Sequence, residues 1–278
     1  MTPEGPLGLV SSYVHTLPTI AFGDRLRDKF TILFNRILHA TYPLNALWYD
    51  LFGRALVDPE SLINGYTCKY RTLTFRCPGG NAELQFLNNW EPEVKRLVAS
   101  LTRGDAIDVG ANMGLYSIML SRCSRDARRI LSIEPNPTYF KWLLKNIEIN
   151  NCGNVIPQNV AAWRTTTHLR MTPHVFGGPM LDSFVSSDCS SESFVVEART
   201  LDDMCSEFGL SPRAVKVDVE GVEDMVLSGM KTTLQRERPI LIFEALNKDS
   251  FDRTCALLME IGYGVSQLER QNFLAISC

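Results

Sequence analysis

The chain has 278 residues, is 45% hydrophobic and carries a formal net charge of −3. A chain of this kind buries a sizeable core, and its length suits one large domain or two small ones. The lack of a basic excess argues against nucleic acid as the main partner, and no run reaches the roughly 18 apolar residues of a membrane span.

Residues 1–23 are rich in Pro, Gly, Ser and Thr and read as a loosely held arm. Phe30, Leu33, Phe34, Ile37 and Leu38 then fall at i, i+3, i+4, i+7 and i+8, one face of a helix. Pro43 interrupts the pattern, and Leu44, Leu47, Trp48, Leu51 and Phe52 form a second stripe. Two readings stand for residues 24–56. One is a helical cap packed on the rest of the chain, the commoner use of such a stripe. The other is an interfacial helix pair resting on a membrane, with Arg25, Arg27, Lys29 and Arg36 beside the apolar face and Asp24 and Asp28 diluting their charge.

Tyr66 to Cys77 alternates and is rich in Tyr, Thr and Phe, so it reads as one strand. Pro78-Gly79-Gly80-Asn81 signals a turn, with Ala82 to Leu87 as the returning strand. Glu91 to Ser100 reads as a helix with Pro92 in its first turn. From Asp105 the rhythm is strand, helix, strand, helix. Strands are expected at 106–109, 129–133, 154–157, 214–219, 239–244, 263–268 and 272–277. Helices are expected at 115–123, 139–149, from Thr200, at 222–229 and at 250–261. This alternation implies a mostly parallel seven-stranded sheet with helices on both faces. Residues 165–198, with Gly177-Gly178-Pro179 and a run of serines, read as a long loop with edge strands.

Eight cysteines are scattered without a C-x-x-C pair, and the four histidines show no metal spacing. Metal sites and disulfide frameworks cluster such residues, so the thiols read as reduced and the protein as cytoplasmic, with no metal site. Met1 to Leu17 lacks the charged and apolar regions of a signal peptide.

Three motifs carry chemistry. Asp108-Val109-Gly110-Ala111-Asn112-Met113-Gly114 follows a strand and opens a helix, where glycines let backbone approach a ligand. Asp108 suits a cationic amino group. Ile133-Glu134-Pro135-Asn136-Pro137 ends the next strand, and an acid there can accept both ribose hydroxyls of an adenosine cofactor. A dinucleotide fingerprint needs a glycine where Asn112 stands. S-adenosylmethionine has no pyrophosphate and tolerates a side chain, so it is favoured over NAD. The third motif, Val215 to Glu223, places Asp218, Glu220 and Glu223 where a strand meets its helix. Clustered carboxylates there can orient or deprotonate an acceptor hydroxyl or hold a divalent cation, although Glu223 also reads as a first-turn acid on the helix dipole. Lys216 is a candidate partner for Asp218, whose burial alone would be costly.

In order and spacing, Trp90-Glu91-Pro92-Glu93, IDVGANMGLYS from Ile107, IEPNP from Ile133, NVAAW from Asn159, EARTLDD from Glu197, KVDVEGVEDMVLSGM from Lys216 and RPILIFEAL from Arg238 resemble the FkbM methyltransferases across residues 90–246. The resemblance implies an α/β, class I Rossmann-like methyltransferase fold over 61–278, an N-terminal helical extension over 1–60, and S-adenosylmethionine as methyl donor. It implies O-methylation of a sugar, glycolipid, polyketide or similar small acceptor. It makes Asp108, Gly110, Asn112 and Gly114 the cofactor loop and puts Glu134, with Pro135 and Asn136, at the ribose. Asn159, Ala161 and Ala162 flank the adenine, and Glu91 closes over the cofactor. Asp218, Glu220 and Glu223 become the catalytic acids, with Glu244 ending the following strand. Ala245-Leu246 stand where the family often has a histidine, so a histidine base is not expected, and Arg164 follows Trp163 where an acid is frequent, a change expected on the adenine side. The alternatives are an NAD-dependent oxidoreductase, whose catalytic Tyr-Lys or His arrangement is not found, and a non-catalytic binding module that kept the fold. A nucleic-acid methyltransferase is disfavoured because Asp218-Val219-Glu220-Gly221 stands where base-amine enzymes carry an N/D-P-P-Y/F/W type run.

Overall fold

The computed structural model describes residues 17–39, 65–78, 85–86, 90–124, 126, 128–173, 182–184 and 193–278. The second apolar stripe at 44–52, the turn at Gly79–Asn81, most of the expected strand at 82–87 and the Gly/Ser-rich stretches at 174–181 and 185–192 lie outside them. Two compact units divide between Trp90 and Glu91. Among the described residues, no helix is long and apolar enough to cross a membrane.

In the first unit a 3-10 helix, Leu17–Phe22, leads into α1, Leu26–His39. The expected single strand at 66–77 is a hairpin instead. β1, Tyr66–Tyr70, pairs antiparallel with β2, Leu73–Cys77, through a two-residue turn in which Arg71 adopts φ 56°. The reason is a phase slip. Tyr66, Cys68 and Tyr70 are buried, and then Leu73, Phe75 and Cys77 are buried, so the inward positions skip from even to odd numbers. A continuous strand would turn Thr72, Thr74 and Arg76 into the core. Phe86 seals this small core against Phe22, Tyr70 and Phe75, with ring centroids 6.1, 5.7 and 5.0 Å away.

The second unit is built on a seven-stranded sheet. Its strands are β3 (Asp105–Val109), β4 (Ile130–Ile133), β5 (Val155–Gln158), β10 (Pro212–Val217), β11 (Ile240–Glu244), β12 (Tyr263–Glu269) and β13 (Asn272–Ser277). The spatial order is β12-β13-β11-β10-β3-β4-β5, parallel from β5 to β11, with β13 antiparallel to both neighbours. β3 and β4 are buried at every position and β10 at five of six, which is why they read as continuous apolar runs rather than alternating ones.

The connections are α3 (Leu115–Arg122), α4 (Pro137–Ile149), α5 (Leu201–Phe208), α6 (Glu223–Ser228), α7 (Lys231–Glu237) and α8 (Lys248–Glu260), and α2 (Pro92–Ser100) precedes the sheet. The chain runs outward from β3 to β5 and then crosses back to β10. Right-handed crossovers therefore put the helices of the two halves on opposite faces. Helix boundaries follow local chemistry. Pro92 and Pro137 sit in first turns, and the Asn136, Thr200 and Asn247 side chains cap α4, α5 and α8.

Residues 161–199 contain more regular structure than a loop. β6 (Ala161–Ala162), β7 (Thr167–Pro173), β8 (Asp182–Phe184) and β9 (Phe194–Arg199) form a second sheet in the order β6-β9-β7-β8. Its small core is Ala161, Met171, Val196 and Ala198.

Candidate functional site

The ladder register of the central strands brings the motif residues together. Ile133, Val109, Val217 and Phe243 are partners across four adjacent strands. The residues that follow them therefore form one row at the carboxyl edge: Glu134, Gly110, Asp218 and Glu244. The row straddles the switch point, where chain order reverses between β3 and β10 and open α/β sheets bind their ligands.

Gly110 makes this row possible. It has φ +77°, and a Cβ there would lie 1.8 Å from the backbone oxygen of Asp218. Only glycine allows the turns after β3 and β10 to approach so closely. The approach is tied by Asp218 N–H donating to Val109 O at 3.0 Å, and by Gly110 and Ala111 N–H donating to Ile133 O at 3.0 and 2.9 Å.

On the β3/β4 side, one carboxylate organises two turns. Glu134 Oε2 accepts from Asn112 N–H at 2.7 Å and Oε1 accepts from Asn136 N–H at 2.8 Å. Asn112 is left-handed, with φ 55°, a conformation asparagine tolerates. Its side-chain oxygen accepts from Met113 N–H at 2.6 Å. Gly114, φ 93°, then starts α3, and a Cβ there would meet Leu143 at 2.6 Å. Asn159 is exposed and clamps the turn after β4, donating to the carbonyls of Glu134 and Pro135 at 2.8 and 3.0 Å. Ala161 and Ala162 are buried in β6.

Asp108 is buried on β3. Its Oδ2 accepts from Ser117 Oγ at 2.6 Å, and Ser117 in turn meets Ser132 Oγ at 2.6 Å, while Oδ1 is buried with no partner. Burial raises the Asp108 pKa against the opposing pull of Lys216 and Ser117. An acceptor left bare in this way suits a cationic or hydroxylic donor from a ligand.

The β10/β11 side is charged. Because β10 ends at Val217, two residues before the expected end, Asp218 sits in the turn with its side chain about a quarter exposed (26%). Lys216, buried on the strand, donates to Asp218 Oδ2 at 2.7 Å and lies 4.7 Å from the Tyr116 ring centroid. Burial opposes the Lys216 charge, but Asp218, Glu91 and Asp108 together hold its pKa above the ordinary range. Asp218 is held low despite burial, by Lys216 and by a hydrogen bond from Glu244. Glu244 is pushed up to about 10 by burial, by the Asp218 charge and by that shared hydrogen bond, so at neutral pH it is the proton donor of the pair. Glu220, left-handed at φ 60°, precedes Gly221 at φ 99°. Oxygens of Asp218, Glu220 and Glu244 lie within 4.8 Å of one another, a spacing that a divalent cation can bridge.

Glu223 and Glu91 serve the site from within the protein. Glu223 is fully buried. It accepts from Gly221 N–H at 2.9 Å and from Ser250 Oγ at 2.7 Å, tying the acidic turn to α8. Arg253 adds a second tie, donating to Gly221 O at 3.1 Å and to Asp224 at 3.2 Å. Glu91, left-handed at φ 47°, accepts from Tyr116 OH and from Asn272 Nδ2 at 3.1 Å. Burial, then Glu91, raises the Tyr116 pKa well above its usual value. Tyr116, Ser117, Ser132 and Ser250 belong to the arrangement but are not singled out by sequence reasoning, since each is an ordinary polar residue on a helix or strand. Tyr116 and Ser117 carry a trace of a signal, as the last two residues of the run that begins at Ile107.

The model of the methyltransferase FkbM domain matches residues 108–265, more than half of the chain. The hexuronic acid methyltransferase AglP of Haloferax volcanii is 28% identical over 155 residues, which cover 55% of this chain and 61% of that protein, less than two thirds of its length. Among solved structures, a methyltransferase FkbM from Methylobacillus flagellatus aligns with 16% identity and a TM-score of 0.46, covering 96% of this chain and 60% of the other. A precorrin-6y C5,15-methyltransferase from Geobacter metallireducens aligns with 17% identity and a TM-score of 0.43, covering 66% and 86%.

Proposed function

The chain belongs to the FkbM methyltransferase family and uses S-adenosylmethionine as methyl donor, and from this we propose that it methylates a hydroxyl group of a sugar-type acceptor at the row Glu134-Gly110-Asp218-Glu244. The hexuronic acid relative supports a sugar. The observation that carries the choice of hydroxyl is the gathering of Asp218, Glu220 and Glu244 against a single buried lysine. Such a field repels an anionic carboxylate acceptor and welcomes a neutral donor of hydrogen bonds.

The cofactor supplies an electrophilic methyl group on a sulfonium. The residues present fit it. Asp108 Oδ1 is a buried acceptor waiting for the amino group, and Glu134, fixed by two backbone donors, is an acceptor for the ribose hydroxyls. Pro135, Asn136 and Asn159 shape the turn that borders the adenosine. Ala161 and Ala162 support that border from the core rather than touching the ring. Gly110, Asn112 and Gly114 give the loop its left-handed path.

Asp218 is the acceptor for the sugar hydroxyl. Its depressed pKa makes it a modest base at rest. The hydroxyl becomes far more acidic as its oxygen bonds to carbon, so a carboxylate at that position suffices to take the proton. Lys216 keeps Asp218 ionised, and Glu244 fixes its rotamer by donating to it. Glu220 forms the third wall of the acceptor position. Glu223 positions the turn through Gly221 and Ser250. Alignment of hydroxyl, methyl and sulfur supplies the remaining acceleration.

The test is methyl transfer from labelled S-adenosylmethionine to a panel of hexoses and hexuronic acids. Base-stable ethers are expected, and a base-labile ester as the main product would overturn the hydroxyl assignment. Asp218→Asn is expected to lower turnover by about 10²–10³ while calorimetry shows S-adenosylhomocysteine binding unchanged. Full turnover in this variant would remove Asp218 from the reaction.

A further inference from the structure

Helix α1 presents two unlike faces. Asp28 and Ile32 are buried, whereas Leu26, Phe30 and Phe34, at i, i+4 and i+8, are 71%, 62% and 50% exposed. Three large apolar side chains in one stripe are more than the scattered exposure of an ordinary surface. The expected packing face of the sequence thus has two of its members, Phe30 and Phe34, in solvent.

The charges around this stripe are sorted as well. Asp24 and Asp28 are both engaged on the hairpin side. Asp28 accepts from Arg25 N–H and Thr67 N–H, each at 3.0 Å, and Asp24 pairs with Lys69 at 2.7 Å. They therefore do not dilute the cations. Arg25 and Arg27 are exposed, and Lys29 lies half-buried, its stem crossing Gly23 so closely that a Cβ there would meet Lys29 Cγ at 2.8 Å. Among the described residues, no acid pairs with Arg25, Arg27 or Lys29 in an ion pair.

We propose that the Leu26-Phe30-Phe34 face of α1 rests on an anionic lipid surface, with Arg25 and Arg27 at the headgroups. An apolar stripe beside cations with no ion-pair partner among the described residues, with Asp24 and Asp28 engaged on the hairpin, matches a bilayer interface in both hydrophobicity and charge. A neutral apolar partner would leave the arginines unused.

The experiment is flotation of the full chain with phosphatidylcholine vesicles and with vesicles containing added phosphatidylserine, at low and high salt. Binding to the anionic vesicles alone, weakened by salt, is expected. Arg25→Gln and Arg27→Gln should each weaken it by about fivefold, and Phe30→Ser with Phe34→Ser should weaken it by tenfold or more, roughly the value of one buried aromatic side chain. These side chains are exposed, so thermal unfolding of the variants should match the parent and separate lost binding from lost folding. Failure to float with anionic vesicles, or flotation indifferent to these substitutions, overturns the proposal. So does a concentration-dependent dimer that the double phenylalanine variant abolishes, which would assign the face to a second copy of the chain.

Discussion

The two edges on either side of Gly110 solve the same problem by different means. On the β3/β4 edge a single carboxylate, Glu134, is fixed by backbone N–H groups, and neighbouring turns are tied by amides and carbonyls. On the β10/β11 edge three carboxylates and a buried lysine hold one another through charge and a shared proton. The first arrangement is held by backbone geometry, as a proposed cofactor site should be. The second stores protons and polarity, as a site where a proton must leave should. In the function proposed here, binding and chemistry are separated by one residue with no side chain.

Replacing that residue is the most direct way to erase the contrast. Gly110→Ala would drive a Cβ into Asp218 O at a backbone angle that alanine resists. We expect a loss of about 4 kcal/mol or more of stability in chemical denaturation, with cofactor affinity and turnover falling together because both turns must move. A stable, active variant would show that the edges do not depend on their close approach.

Breaking only the cofactor edge should give a smaller and cleaner effect. Glu134→Ala removes the acceptor for two backbone donors and for the ribose. We expect S-adenosylhomocysteine to bind about 100-fold more weakly by calorimetry, from two charge-assisted hydrogen bonds, with turnover at saturating cofactor changed far less. A fall in turnover without a fall in affinity would reverse the assignment of the two edges.

A difference in pH dependence probes the shared proton. Glu244 holds its proton up to about pH 10 in the folded chain, whereas an unfolded glutamate loses it near 4.3. Between these values the native state binds more protons than the unfolded one, so stability falls as pH rises. The steepest slope is about 1.4 kcal/mol per pH unit. Glu244→Gln keeps a donor toward Asp218 and has no proton to lose. Its unfolding midpoint should therefore fall less than that of the parent between about pH 5 and about pH 9. Parallel curves for the two proteins would show that Glu244 is ionised at rest.

Much of the cofactor edge was legible because its residues are neighbours in sequence within short strand-to-helix motifs. The acidic edge was legible in composition but not in arrangement. Asp218 and Glu244 are brought together by the register Val217 to Phe243, and a parallel ladder's register depends on packing across the whole sheet. The Lys216–Asp218 pair is legible as a candidate, because a carboxylate buried without a partner is costly. The hairpin at 66–77 is hard to see in the sequence because propensity and alternation are satisfied on both sides of the turn, and only the slip from even to odd positions marks it. α7 was missed because Lys231–Glu237 is short and mostly polar. The sheet at 161–199 was obscured by two-residue and three-residue strands, too short to show a period.

The position of β13 inside the sheet has a consequence for how the molecule assembles. β12 joins the sheet only through β13, which is made after it. During synthesis β12 must therefore wait, unpaired, until residues 272–277 emerge. The same hairpin delivers Glu269, which accepts from Val94 N–H at the start of α2, and Asn272, which donates to Glu91. An early segment of the domain is thus latched by one made about 180 residues later. The growing chain can form its parallel strands in order, but the wall that carries Glu91 stays unfastened until the C-terminal hairpin closes over it.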